Sequence, residues 1–488
     1  MTTLDILLGA LFLLLCAILV DYARRSYNIG KHNLAAIMLV VLCFLLGVYM
    51  ISTPHLQPWD ERYHALVAKN MMDHPLLPTL YENPILSYDY KAWAGNHIWV
   101  HKQPVTLWGI ALSMKMFGTN LFAVRFPSLI MTAAGVYIVY LIGKRLFNPR
   151  VGLIAGFFFS INGLILELVA GRMATDHVDV FFMFFVTLSV LCALYFAQTR
   201  KFWWNILCGL FIGLAILCKW LPALIVLPIW LTLVLHYKQT FKYFFLHGLL
   251  LLGVIVLVAL PWQLYIYANF PLEAAWESKY NVLHLLQDLE HTGKPFYYYA
   301  DVMRVSYGEL IYIPLCWAGY QAWKLKKDGR YWALLVWILI PFLFFSFSAT
   351  KLQGYTLFCA AALFLLAALF IDELLKGTIK LRYKWLKITL LILLFILPVR
   401  YTVERLKPFQ GPHDVPQWQM EIEAFSQRIG DRKDVVIFNT QYPIEFMFHT
   451  NATAYIGTPL PNTLDSLRSV GYEVYVVKRG NYPEEWKN

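Results

Sequence analysis

The chain has 488 residues, of which 59% are hydrophobic and 17% aromatic but only 15% charged. A soluble protein of this length would need far more charged surface, so the composition excludes the soluble globular classes and predicts a protein of the lipid bilayer. The net charge of +11 lies mostly in basic connections between apolar runs. It therefore indicates membrane anchoring and not nucleic-acid binding.

Apolar runs near the length of about 20 residues that spans a bilayer recur along the whole chain. They predict about twelve transmembrane helices, at residues 4–20, 34–51, 121–142, 150–168, 178–197, 203–218, 221–236, 243–262, 307–323, 331–347, 354–371 and 384–400. The run at 104–117 is shorter, and it predicts a helix that lies at the interface or packs on the bundle. The predicted fold class is an all-α polytopic membrane protein.

Basic residues predict the orientation of these helices. They fall on alternate connections, as at Arg24 and Arg25, Lys144 and Arg145, and Lys326 and Lys327, and positively charged loops stay in the cytoplasm. The opposite side then receives the segments 52–120, 169–177, 263–306 and 348–353 and everything after residue 401. These outer segments hold most of the acidic and aromatic residues that could form a site.

The hydropathy pattern of the sequence changes after Arg400. Residues 434–438, 452–456 and 473–477 have the pattern of short strands, and 417–429 and 464–470 that of helices. The pattern predicts a small C-terminal α/β extracytoplasmic domain, residues 406–488, after a membrane domain of residues 1–405. This segment has no nucleophile motif and no phosphate-binding loop, so a packing or gating role is expected.

The first outer loop carries an acidic pair, Asp60 and Glu61, just past the apolar run 34–51. Carboxylates at a membrane boundary are energetically unfavourable unless they face water, a cation or a substrate. Tyr63 belongs to the aromatic residues of this loop, about half of which interfacial anchoring would explain. Lys102 begins an apolar segment, where a lysine either reaches the headgroups or offers a compact charge to a phosphate.

The later outer loops are short and charged. The second contains Arg172 and Asp176, with Asp179 one helical turn further on, and a structural salt bridge from the arginine is the alternative interpretation. The third contributes Glu277, Lys279 and His291, and the fourth Lys351 and Tyr355. Together they predict that carboxylates, lysines and aromatic rings converge on one face of the bundle, as a negatively charged lipid-linked substrate requires.

An ordered series of motifs resembles one family. The motifs are Trp59-Asp60-Glu61, His101-Lys102-Gln103-Pro104, Arg172 to Asp176, Cys218-Lys219-Trp220, Lys294 to Tyr299 and Ser348 to Leu352. The chain resembles the membrane-embedded C-type (GT-C) glycosyltransferases, family 39-like, and within them the bacterial aminoarabinose (lipid A) transferases and the protein O-mannosyltransferases. It departs from their pattern where Arg62 and Tyr63 follow the acidic pair directly and where Trp220 stands in place of a glycine. In the third loop, Asn281 or one of its neighbours stands in place of an arginine.

The resemblance implies a fold, an activity and a location. The fold is GT-C, and the activity is inverting transfer of a monosaccharide from a polyprenyl (undecaprenyl) phosphate carrier to a lipid, glycan or protein acceptor. The location is the bacterial inner membrane, with the site on the extracytoplasmic side. The implied partners are the donor, the acceptor and membrane lipids, with no nucleic acid.

The resemblance also implies residue roles. Asp60 and Asp176 are the catalytic carboxylates. The substrate-binding residues are Glu61, Tyr63, Lys102, Arg172, Lys219, Glu277, Lys279, His291, Lys351 and Tyr355. No cofactor is required and no metal ligands are assigned, although a divalent cation between Asp60 and Asp176 is left open.

The main alternative is a polytopic lipid or glycolipid transporter, or flippase, without transferase activity. Transporters tend to hold acids at the bilayer midplane and to use broken helices in repeated halves. Here the charges cluster in the outer loops and no internal repeat is evident. A non-catalytic anchoring subunit with the same fold is a third interpretation.

Overall fold

The computed structural model describes residues 2–238, 240–289, 291–410 and 414–478. Residue 290 of the predicted third loop and residues 411–413 and 479–488 of the predicted C-terminal domain lie outside the described residues. The chain forms two compact units. Among the described residues, the first unit comprises 2–52, Lys102–Thr106 and 125–410. The second comprises Thr53–His101, Leu107–Val124 and 414–478.

Helices dominate the structure. In chain order they are α1 Thr3–Asn28, α2 His32–Met50, α3 Asp60–Asn70, α4 Pro104–Phe117, α5 Leu121–Leu146, α6 Pro149–Ser160, α7 Gly163–Val169, α8 Asp176–Thr199, α9 Phe202–Lys219, α10 Val226–His236, α11 Phe241–Asn269, α12 Pro271–Leu286, α13 Tyr298–Tyr307, α14 Tyr312–Lys324, α15 Gly329–Phe347, α16 Ala360–Lys376, α17 Lys384–Leu406, α18 Gln417–Ile429, α19 Pro443–His449 and α20 Pro461–Ser469. Two 3₁₀ segments, Leu221–Ile225 and Gln353–Cys359, precede α10 and α16. The strands are β1 Val435–Phe438, β2 Thr453–Ala454 and β3 Glu473–Val476.

Nine helices within the described residues are long and apolar enough to cross a membrane, and a tenth span results if the bent pair α6 and α7 counts as one. The chain is therefore a multi-pass membrane protein. Two of the predicted spans are short in the structure. The apolar helix Leu221–His236 has 16 residues, and α14 has 13, whereas a straight span needs about 20.

The prediction that residues 150–168 form one continuous helix is wrong. The structure has two helices there, with a bend of 52° between Ser160 and Gly163. Asn162 explains the break. Its side-chain oxygen accepts a hydrogen bond from the Ile165 N–H, 3.0 Å away, and its amide nitrogen donates to the Ser306 carbonyl oxygen at 2.7 Å. An asparagine that caps the next helix in this way offers the backbone an alternative to continuing the first.

The first unit buries its helices to very different degrees. Helix α8 and the segment Gln353–Lys376 are almost completely buried, whereas α1, α11 and α17 expose most of their apolar side chains. Exposed apolar helices are unstable in water but suit contact with lipid. The buried pair, α8 and the Gln353–Lys376 segment, carries the predicted residues Asp176 and Tyr355.

The second unit combines the first outer loop with the C-terminal segment. Strand β1 pairs in parallel with β2 and β3, in the order β2-β1-β3, with Ile437 opposite Ala454 and Tyr475. The predicted strands are thus present, while α19 was not predicted. One apolar core takes Leu66 and Trp99 from the loop together with Ile437 and Ile444 from the C-terminal segment. The predicted division at residue 405 differs from this grouping, because it separates two segments that share a core.

Candidate active site

The N-terminus of α8 carries two buried carboxylates. Asp176, the first residue of the helix, is fully buried, and its carboxylate accepts a hydrogen bond from the His177 N–H. Asp179 follows one turn later and accepts a hydrogen bond from the Thr175 hydroxyl. The first turn of a helix favours negative charge, because its backbone N–H groups are unpaired and the helix dipole is positive there. Carboxylate side chains are therefore favourably placed at this end of α8.

Lys219 forms an ion pair with Asp179 at this end of α8. The Lys219 ammonium lies against the Asp179 carboxylate, and the two side chains are only 17% and 2% exposed. The ammonium also lies 4.4 Å from the centre of the Tyr355 ring, within the range of a cation–π interaction. The predicted residues Lys219 and Tyr355 thus come together at Asp179. The sequence indicates Asp179 only through its spacing of one helical turn from Asp176.

The fourth outer loop packs directly on this ion pair. A Cβ atom at Gly354 would overlap the Asp179 carboxylate and would lie 3.1 Å from the Thr175 hydroxyl oxygen. Only glycine lets the backbone approach the carboxylate this closely. Because Gly354 has no side chain, the fourth loop packs closely against Asp179. This packing positions the next residue, the predicted Tyr355.

Lys351, in the same loop, is a buried lysine with no carboxylate partner among the described residues. The residue is 6% exposed, and its ammonium donates a hydrogen bond to the Ser348 carbonyl oxygen. Within the described part of the chain it has no carboxylate partner. An ammonium has three donors, and burying a charge is costly unless it is paired. Lys351 is therefore a candidate ligand for an anion.

The third and fourth outer loops are joined through His284 on α12. Its Nδ1 lies 3.1 Å from the Thr350 hydroxyl oxygen, and the Thr350 N–H donates to the His284 carbonyl oxygen at 3.2 Å. Glu277, two turns earlier on α12, is buried. Lys279 is exposed, with its ammonium 6.0 Å from the Trp276 ring centre, and His291 is exposed with a left-handed φ of 55°. No contact joins Lys279 or His291 to the α8 cluster within the described residues.

Arg172 and Lys102 belong to the first unit. The Arg172 guanidinium donates to the Met50 carbonyl oxygen at 3.3 Å, at the C-terminal end of α2. A cation there satisfies a carbonyl group that the helix leaves unpaired. Lys102 is half-buried and is followed by Gln103, whose side-chain oxygen accepts a hydrogen bond from Gln263 at 2.8 Å. The Arg172 guanidinium thus has a structural contact, and its role in substrate binding stays a prediction.

The acidic pair of the first outer loop lies in the second unit. Asp60 is half-buried and is the first residue of α3, the same helical position that Asp176 has in α8. Glu61 is fully buried and accepts a hydrogen bond from the Gln57 N–H at 2.7 Å. The Tyr63 ring packs edge-on against Trp93, with centroids 5.0 Å apart, and burial raises the pKa of its hydroxyl.

Known proteins resemble this chain in sequence. Residues 101–262 match the family described as dolichyl-phosphate-mannose-protein mannosyltransferase. The undecaprenyl phosphate-alpha-4-amino-4-deoxy-L-arabinose arabinosyl transferase 2 of Pseudomonas fluorescens is 31% identical over 300 residues, covering 56% of this chain and 51% of that protein. The corresponding protein of Proteus mirabilis is 27% identical and covers 83% and 71%. The chain spans about half the length of the first curated relatives it matches.

Solved structures share its architecture. ArnT from Cupriavidus metallidurans, bound to undecaprenyl phosphate, superposes with a TM-score of 0.62 at 14% identity over 90% of this chain and 89% of that one. The chain has the C-type glycosyltransferase fold. The archaeal oligosaccharyltransferase AglB from Archaeoglobus fulgidus, in complex with an inhibitory peptide and a dolichol-phosphate, gives 0.56 at 16% identity over 87% and 64%. The resemblance predicted from the motifs is thereby confirmed.

One departure from the motifs of this C-type fold has a structural explanation. Trp220, which stands where a glycine was expected, has φ 64° and ψ −154°. This backbone region is essentially restricted to glycine. The backbone directly after Lys219 therefore has a conformation typical of glycine, although the residue there is a tryptophan.

Two residues of the site were missed as candidates. Asp179 was noticed only for its spacing from Asp176, and Gly354 was not singled out. The helical spacing of the two aspartates was a signal that both face the same environment. Nothing in the sequence signals the role of Gly354, because its close approach to Asp179 depends on how the fourth loop packs against α8.

Proposed function

We propose that this protein transfers one sugar from a polyprenyl-phosphate carrier to an acceptor at the outer face of the bacterial inner membrane, with inversion at the anomeric carbon. The observation that carries the proposal is the Lys351 ammonium, which is buried in the fourth outer loop and has no carboxylate partner among the described residues. A lipid phosphate supplies the anion that this cation lacks. The similarity to undecaprenyl-phosphate sugar transferases supports the same reaction class.

The reaction breaks the bond between the anomeric carbon and the phosphate oxygen, and the polyprenyl phosphate leaves as a dianion. Lys351 stabilises this developing charge, since a fixed cation in a site that excludes water acts without reorganisation. Lys102 is the second phosphate ligand, because its ammonium is a compact charge with three donors. Lys219 supports Tyr355 and Asp179 instead, as its charge is already balanced by the aspartate.

Asp60 is the general base if the acceptor is an alcohol. Its carboxylate takes the proton of the hydroxyl as the oxygen attacks the anomeric carbon on the face opposite the phosphate. A phosphate acceptor needs no base, and Asp60 then positions the acceptor. Asp176 stabilises the positive charge that develops on the sugar ring. The reaction requires no cofactor, and a divalent cation at Asp60 and Asp176 stays a prediction to be tested with a chelator.

The proposal extends to topology and to the accessory segment. Twelve apolar segments alternate across the membrane, with Leu221–His236 and α14 as the short crossings. The outer loops and the C-terminal α/β segment share the extracytoplasmic side. This arrangement follows from the alternation of the basic connections.

The test uses the full chain in lipid nanodiscs with undecaprenyl-phosphate-linked aminoarabinose and lipid A, and mass spectrometry of the products. Wild-type protein should form glycosylated acceptor and free undecaprenyl phosphate, whereas Lys351→Met should not. The matched control is Lys326→Met, since Lys326 is exposed on a predicted cytoplasmic connection. Transbilayer movement of the donor without any product would instead support the flippase.

The sugar and the acceptor are identified in cells. Mass spectrometry of membrane lipids and surface glycans, with and without the gene, should reveal one modification that disappears. A change confined to a protein or glycan would replace lipid A as the acceptor while leaving the reaction class intact.

A further inference from the structure

Helix α3, which begins with Asp60, runs beside α19 of the C-terminal segment. At their first turns the Arg62 guanidinium donates a hydrogen bond to the Glu445 carboxylate at 3.1 Å. The Glu445 side chain is 2% exposed and the Arg62 side chain 22%. Removing one partner of such a buried pair leaves an uncompensated charge, which is strongly destabilising. The contact therefore fixes the beginning of α3 to the beginning of α19.

The last turn of α3 is fixed at the other end of α19. The Lys69 ammonium donates hydrogen bonds to the carbonyl oxygens of Met447, Phe448 and Thr450, at 2.8, 3.0 and 2.6 Å. The last carbonyl groups of a helix have no partner within the helix, and a lysine can satisfy them. All three donors of the ammonium are used. Burial lowers the pKa of Lys69 to about 8, so it is still charged at neutral pH.

Apolar packing fills the space between these two polar contacts. Ala65 and Ala68 of α3 belong to the same buried cluster as Phe448 of α19. The small alanines let the two helices approach closely, and the ion pair and the lysine lie at opposite ends of the contact. The helices therefore run in the same direction with their register fixed at both ends.

We propose that Lys69 and the Arg62–Glu445 pair are positioning residues, through which the C-terminal segment holds α3 and thereby the Asp60 carboxylate at its working position. The inference rests on the proposed function, in which Asp60 acts on the acceptor. Lys69 has no assigned contact with the substrate, because its three donors are bound to carbonyl oxygens. Misplacing a reacting group by 1 Å costs about 10²-fold in rate, so loosening this contact should be visible in catalysis.

The test measures transfer by the full chain carrying Lys69→Met, which keeps the length of the side chain but removes the charge. The expected kcat is lower by about 10²-fold, with the donor KM unchanged, because the phosphate ligands lie outside α3. Hydrogen exchange should become faster in α3 and α19 and stay unchanged in α8. Lys69→Arg should recover part of the rate, since a guanidinium can still donate to the carbonyl groups.

The matched control is Lys478→Met, which removes an exposed lysine of the same unit and should leave kcat and exchange unchanged. If Lys69→Met does not fold, the charge pair provides a second test. Glu445→Gln should lower kcat, and Arg62→Gln combined with it should recover part of the loss, because the double variant removes both charges. Additive losses in the double variant would overturn the proposal.

The inference and the proposed function can fail separately. An inactive Asp60→Asn together with a Lys69→Met that keeps the wild-type kcat would overturn the positioning role alone. A lower kcat in Lys69→Met with unchanged exchange in α3 would likewise overturn only the positioning role. A fully active Asp60→Asn would overturn the role of Asp60, on which the inference depends.

Discussion

The Lys219 ammonium and the Asp179 carboxylate form a buried ion pair that joins the end of α9 to the beginning of α8. The pair also fixes the surroundings of Tyr355, whose ring lies against the ammonium. A buried ion pair adds little net stability compared with an apolar pair of the same shape. Removing only one of its partners, however, strongly destabilises the folded protein. The main effect of the Lys219–Asp179 pair is therefore to fix the geometry of the site.

Asp179→Asn should destabilise the protein by about 3–5 kcal/mol, because it removes the negative charge from a buried ion pair. Asp179→Asn combined with Lys219→Met should recover much of that loss. Thermal unfolding of the two single variants and the double variant measures the coupling. Purely additive effects would show that the two side chains do not depend on each other.

Gly354→Ala should abolish most of the transfer activity while the protein still folds. The added Cβ overlaps the Asp179 carboxylate and crowds the Thr175 hydroxyl, so the fourth loop must move away from α8. The matched control is Gly319→Ala, since a Cβ at Gly319 on α14 meets no atom within 4 Å. Normal rates in both variants, measured with the same donor, would contradict the close approach.

Much of the fold follows from hydropathy, because the length of an apolar run is set by the membrane and not by long-range contacts. Helix α4 has the predicted bounds, and α18 has them as well. The bend at Asn162 was missed since apolar composition continues across it, and only the capping bonds reveal it. Helix α19 was missed because seven residues show too little periodicity to be recognised.

The site was predictable in its residue types but not in its pairings. Lys219, Lys351 and Tyr355 were all candidates, yet only the structure distinguishes the paired lysine from the buried lysine that has no counter-charge among the described residues. The division of roles between them depends on how the fourth loop folds onto α8. The shared core of the first loop and the C-terminal segment is likewise a long-range feature, which no local pattern encodes.

Replacement of Trp220 by glycine should give a more stable protein than replacement by alanine. Both variants lose the indole ring, so they differ only in the backbone, whose φ of 64° and ψ of −154° strain any residue with a Cβ. The expected difference in the free energy of unfolding is about 1–3 kcal/mol in favour of glycine. Equal thermal stability of the two variants would mean that this backbone conformation is not maintained.

Single cysteines at Ser87 and Ser466 should both react with a membrane-impermeant thiol reagent in intact spheroplasts. Both serines are exposed in the second unit, and the alternation of the basic connections predicts that this unit lies outside. Six of the seven native cysteines are buried or half-buried in helices. The exposed Cys316 lies on an apolar segment, so it is replaced by serine first. Labelling at only one of the two positions would contradict the topology.

Asp60→Asn tests the proposed chemistry most directly. The change keeps the shape of the side chain and its place at the beginning of α3 but removes its charge and basicity. If the acceptor is an alcohol, the rate should fall by about 10²–10⁴-fold, the usual contribution of a general base. The rise of the wild-type rate with pH on the acidic side should also disappear, since the group that must lose its proton is gone.

A positioning role for Asp60 predicts a different pH profile. The rate of Asp60→Asn would then be lower at every pH, while the rise on the acidic side persists. Size-exclusion chromatography and thermal unfolding of the purified variant establish that it is folded before the rates are compared. A folded Asp60→Asn that transfers sugar at the wild-type rate would remove Asp60 from the mechanism. The catalytic carboxylate would then have to be sought at Asp176 or Glu61, by the same substitution and the same pH profile.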